Sequence, residues 1–75
     1  MERVLDLNNR LVCCVDYRTG YIEYYDHHTL VAISLPVNGK VIIYKNRCYT
    51  SLQRKSPETI YVDRRYTLSE VCRPE

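Results

Sequence analysis

The apolar positions of this chain fall in short runs that either alternate with polar residues or lie unbroken, and none keeps helical spacing over the roughly 10–12 residues that a helix needs. Strands are therefore expected throughout. Val4-Leu5-Asp6-Leu7 reads as an edge strand ended at Asn8-Asn9, because Asn tolerates positive φ and bonds its own backbone. Residues 11–15 are almost continuously apolar, as in a central strand, and residues 21–25 return from a turn in which Gly20 supplies the left-handed position. Pairing Asp16 with Tyr21 places Leu11, Cys13, Val15, Ile22 and Tyr24 on one face, the expected core. Val12, Cys14, Glu23 and Tyr25 fall on the other, and a slip by one residue would carry Glu23 inward. Asp26-His27-His28 makes the next turn.

Residues 29–44 form the most strongly patterned stretch. Two runs rich in β-branched residues flank Asn38-Gly39, the dipeptide that suits a two-residue hairpin. The hairpin register sets Val37 opposite Lys40, Leu35 opposite Ile42 and Ile33 opposite Tyr44, with Val31 on the same face. The other face carries Leu30, Ala32, Ser34, Pro36, Val41 and Ile43. Both faces are apolar, whereas a one-sided antiparallel strand alternates cleanly. Pro36 disfavours a further strand beside it, so the first arm is expected to be a sheet edge.

Asn46 marks another turn, residues 48–52 a strand, and residues 53–58 a charged loop stopped by Pro57. Residues 59–62 read as a last strand and Asp63-Arg64-Arg65 as an outward turn. Thr67-Leu68-Ser69-Glu70 matches a capping box, leaving room for about one turn of helix before Pro74. The expected fold is one all-β domain over residues 1–75: a small antiparallel meander of five or six short strands forming a barrel or sandwich, with at most a one-turn C-terminal helix.

Composition thins the core that this pattern can build. A chain of 75 residues buries only roughly 60–65% of its unfolded surface. It has no Trp or Phe, so eight Tyr supply all of the aromatic bulk, each with a hydroxyl to keep wet or bonded. Charge is split along the chain: residues 1–39 carry net −2 and residues 40–75 net +4. Such a split can bring unlike ends of two copies together, or present a basic face to a polyanion. The charged N-terminus lacks a signal-peptide pattern and no apolar run is long enough to span a bilayer, so the expected location is cytoplasmic, with no membrane partner and with the cysteines as free thiols.

The chemistry-bearing residues exclude more than they suggest. Cys13 and Cys14 are adjacent and diverge on a strand, Cys48 and Cys72 stand apart, and His27-His28 share a turn, so no zinc-type ligand spacing exists and no metal or cofactor is expected. The chain has no nucleophile elbow or phosphate loop, and both glycines are needed at turns, so no enzyme is expected. Arg54, Lys55, Tyr61, Arg64, Arg65 and Tyr66 mix basic and aromatic groups in the manner of β surfaces that bind nucleic acid. Tyr and Arg are also the residues enriched at protein interfaces. The two-sided apolar hairpin needs cover that no helix of this chain supplies, which points to Leu30, Ala32, Ser34, Val41 and Ile43 as a partner interface. The expected function is thus a non-enzymatic protein-interaction module that binds a protein partner or a second copy of itself. Small motif-free β proteins of this kind serve phages and mobile elements as accessory proteins that inhibit a host machine. The alternative is a small nucleic-acid or nucleotide-binding barrel using the basic second half.

Overall fold

The computed structural model describes residues 1–45 and 47–67. The capping box and the helical turn expected after it begin at Thr67 and otherwise lie outside the described residues. Among the described residues seven strands form, more than the five or six expected: β1 Glu2–Leu5, β2 Leu11–Asp16, β3 Tyr21–Asp26, β4 Thr29–Ser34, β5 Lys40–Lys45, β6 Cys48–Ser56 and β7 Thr59–Tyr66. They make two antiparallel meanders, a four-stranded sheet β1-β2-β3-β4 and a three-stranded sheet β5-β6-β7, and no helix occurs among the described residues.

The β2–β3 register is the expected one, Asp16 with Tyr21 and Val15 with Ile22. The ladder stops at Cys14–Glu23, however, and the expected Cys13–Tyr24 pair does not form. The cause lies on the other side of β2. There Val4 pairs with Cys13 but Leu5 with Leu11, so Val12 is an extra, bulged residue. The bulge bends the strand and re-aims its side chains. Val12 and Cys13 are both buried in the core, while Leu11, expected inside, is 42% exposed.

The expected central hairpin does not form. β4 and β5 belong to different sheets, and Asn38-Gly39 lies in the corner between them. Asn38 has φ 73° while Val37 is not left-handed, and Gly39 N–H donates to Pro36 O at 2.9 Å. A positive φ at the third turn position alone defines a type II turn, whose twist splays flanking strands instead of pairing them. The corner is pinned elsewhere: Leu35 N–H donates to Gly20 O at 2.9 Å, Asn38 N–H to Arg54 O at 2.6 Å, and Arg54 N–H to Gly39 O at 3.0 Å.

This split resolves the two-sided apolar character of residues 29–44. Val31 and Ile33 of β4 turn inward from one sheet and Val41 and Ile43 of β5 from the other, so positions from opposite faces of the expected hairpin share one interior. The core joins Val4, Val12, Cys13, Val15, Ile22 and Leu35 to Ile43, Leu52 and Ile60, with Tyr17, Tyr24, Ile33, Val41 and Val62 packed against it. Val15, Ile22 and Leu52 at its centre have no exposed surface.

The later strands outrun the pattern. β6 continues through the expected loop to Ser56 with a register shift at Lys55, and β7 continues through the expected Asp63–Arg65 turn to Tyr66. Among the described residues, no helix is long and apolar enough to cross a membrane.

Candidate interaction surfaces

The register of the three-stranded sheet defines its outer face. Three cross-strand rows lie on it: Tyr44–Tyr49–Arg65, Ile42–Ser51–Asp63 and Lys40–Gln53–Tyr61. Alternation puts Thr50 and Leu52 inside, where they are buried, so their neighbours on β6 turn outward. Tyr44 is 69% exposed and Tyr61 60% exposed. The Tyr44 and Tyr49 rings meet edge to face at 5.9 Å, and Lys55 Nζ sits 5.7 Å from the Tyr61 ring centroid. Arg65 Nε donates to Asp63 Oδ2 at 3.1 Å.

The basic and aromatic residues singled out by sequence divide between the two sides of this sheet. Lys55, Tyr61 and Arg65 belong to the outer face. Arg54 is half-buried and structural, donating from Nη1 to Leu35 O and from Nη2 to Pro57 O, both at 2.9 Å. Arg64 reaches the β1 end through a hydrogen bond to Leu5 O, and the Tyr66 hydroxyl lies 3.5 Å from Asn8 Oδ1. Lys40, Tyr44 and Tyr49 complete the outer face and were not among the sequence candidates. The register that sets Lys45 opposite Cys48 would have found them had β5 been separated from the supposed hairpin. The charge split also becomes spatial, because residues 1–39 build the four-stranded sheet and residues 40–67, with seven basic and two acidic side chains, build the other.

The residues expected as a partner interface divide as well. Leu30, Ala32 and Ser34 lie on the exposed side of β4, whereas Val41 is half-buried and Ile43 is buried in the core. β4 is a margin of its sheet, and none of its six residues is charged. The other three margins all carry charge: Glu2 and Arg3 on β1, Lys40 and Lys45 on β5, and Asp63, Arg64 and Arg65 on β7.

Where β2 leaves β3, a slot of about 120 Å³ opens, lined by residues that include Leu11, Val12, Cys14, Tyr25 and Leu30. Burial and the neighbouring Cys14 push the Cys13 thiol up to about 11, which leaves it protonated and unreactive at neutral pH. Cys48 is also buried, and Cys14 is half-buried. His27 and His28 are exposed at the β3–β4 turn, His27 Nε2 lying 3.8 Å from Asp26 Oδ1. The Tyr21 hydroxyl donates to Glu23 Oε2 at 2.8 Å, and that bond raises its pKa. No group of three or more His, Cys, Asp or Glu among the described residues is placed to hold a metal ion. Compared with known proteins, the chain matches no family model, no curated protein and no solved structure.

Proposed function

We propose that this chain is a non-enzymatic interaction module that works by strand addition at the free margin of β4, and that its partner is a second copy of itself. In this reading the two sheets form a sandwich with open margins, not a closed barrel. The supporting observation is the uncharged β4 margin beside three charged ones. Proteins ordinarily block such an edge with Lys, Pro or a bulge, because its unpaired backbone groups are a template for another strand.

Parity sets the register. Asp26 pairs with Thr29 across the two-residue His27-His28 connection, which makes them a hydrogen-bonded pair. Thr29, Val31 and Ile33 then direct their backbone groups to β3, in phase with the Leu35–Gly20 bond. Leu30, Ala32 and Ser34 direct theirs outward. A twofold axis at Ala32 pairs it with its counterpart, Leu30 with Ser34 of the partner subunit, and Val31 with Ile33 of the partner subunit. This antiparallel arrangement keeps inner faces with inner faces and is self-complementary, as a twofold interface requires. Pro36, lacking an N–H, ends the ladder.

Sedimentation equilibrium over a wide concentration range tests the proposal. The expected result is a dimer that becomes a monomer in both Ala32→Lys and Ala32→Pro, with an unchanged circular-dichroism spectrum, since Ala32 is exposed and its N–H is not used by β3. A wild-type monomer at all concentrations, or a dimer indifferent to both substitutions, would refute it.

A further inference from the structure

We infer that the outer face of β5-β6-β7 is a binding site for single-stranded nucleic acid. The inference is independent of strand addition at β4, since it rests on the other sheet. Two exposed rings, Tyr44 and Tyr61, stand at opposite corners of the face, and the Tyr49 ring supports the first edge to face. Between them runs the row Ile42–Ser51–Asp63, whose central Ser51 is small and buried among its neighbours. The face thus carries two exposed rings on either side of a row whose central residue is small.

Charge selects the ligand. Lys40 lies in the same row as Tyr61, Lys55 sits against the Tyr61 ring, and Arg65 lies in the row of Tyr44 and Tyr49. The one carboxylate in the three rows, Asp63, is already paired with Arg65 at 3.1 Å. Tyr61 thus has Lys55 beside it and Lys40 along its row, while Arg65 flanks Tyr49, the ring that meets Tyr44 edge to face, an arrangement in which bases stack on the rings while phosphates meet the cations. Two strand spacings across and four residues along place Tyr44 and Tyr61 roughly 16 Å apart. That span suits about four nucleotides, the short end of site sizes on single β domains. A duplex hides its bases from a flat face, and the described residues include no helix to enter a major groove.

The test is fluorescence anisotropy with short labelled oligothymidylate and oligouridylate, using the full chain. The expected result is binding of one or both, weakening about tenfold between roughly 50 and 200 mM salt, as two to three phosphate contacts imply. Tyr44→Ala and Tyr61→Ala should each weaken binding roughly 5- to 150-fold. Tyr25→Ala, on the other sheet, should leave it unchanged. Lys40→Glu, an exposed change on a sheet margin, provides a second variant if either alanine variant fails to fold, and should weaken binding while reducing its salt dependence. The inference is overturned if neither oligonucleotide binds, if a duplex or polyglutamate binds as well as the single strand, or if binding ignores the face substitutions.

Discussion

Replacing Gly20 with Ala tests the corner on which both sheets depend. Gly20 is buried with φ +79°, and a Cβ there would lie 2.4 Å from Leu35 O, 2.8 Å from Arg54 Nη1 and 3.1 Å from Arg54 Cδ. The first of these atoms is backbone and cannot rotate away. Left-handed backbone alone costs a non-glycine residue about 1–2 kcal/mol. Relieving the clash must lengthen the Leu35–Gly20 bond, of about 0.5–1.5 kcal/mol net, and disturb the partly exposed Arg54–Leu35 bond, which contributes about 1 kcal/mol after screening. Together these give a loss of roughly 3–4 kcal/mol, against a total stability of about 4–11 kcal/mol for a chain of this length. With an unfolding entropy of about 0.16 kcal/mol/K, a loss of about 3 kcal/mol lowers Tm by roughly 20 °C. Thermal unfolding followed by circular dichroism measures this directly, with Arg18→Ala, an exposed change in the same turn, as the comparison. A Tm within about 5 °C of the wild type would show that the crossing of Gly20, Leu35 and Arg54 does not hold the corner.

Further substitutions probe the parts separately. Leu52→Ala, at a position with no exposed surface, should cost about 2–5 kcal/mol in denaturant titrations. Arg54→Met keeps the aliphatic stem but removes two hydrogen bonds, together with a buried Nε that has no partner; a loss of about 1–3 kcal/mol is expected, with oligonucleotide binding retained. Arg47 has φ 64° at an exposed turn, so Arg47→Gly should stabilise the protein by up to about 1 kcal/mol in the same titration. The folded Cys13 thiol titrates near 11, above its ordinary 9. The unfolded chain therefore loses that proton first, and this contribution to stability, about 2–3 kcal/mol, should be present below pH 9 and lost as pH rises toward 11. Comparing urea midpoints of the wild type and Cys13→Ala across that range isolates it.

Much of the first sheet could be read from the chain. Glu23 and the turn at Gly20 together made the β2–β3 register legible, since a slip by one residue would carry a carboxylate into the interior. The bulge at Val12 had no signature, because two adjacent apolar residues look the same whether or not one is extra. The failure at Asn38-Gly39 has a definite origin. The dipeptide signals a turn with Asn38 and Gly39 both at positive φ, but only Asn38 is left-handed and the turn closes one residue earlier, on Pro36 O, while the chain beside it bonds to Gly20 and Arg54, residues far away in sequence. Lys55, Tyr61 and Arg65 were legible as a basic-aromatic group because they lie near one another on β6 and β7. Tyr44 and Tyr49 were not, since their place depended on β5 leaving the supposed hairpin. Arg54 illustrates the opposite error: its charge suggested a ligand, but its donors are committed to backbone carbonyls.

The division of the chain at the Pro36–Gly39 corner also bears on how the protein is made. Strand pairing within each half joins sequence neighbours, so the order of synthesis is the order of assembly. The four-stranded sheet can finish its ladders before β5 emerges. Such local pairing favours faster folding than the long-range ladders typical of β proteins. Until the second sheet arrives, Val15 and Ile22 remain uncovered, and the corner is then the hinge on which that sheet closes. The same hinge allows the second half of one molecule to close on the first half of another, a route to exchanged dimers that needs no new contact.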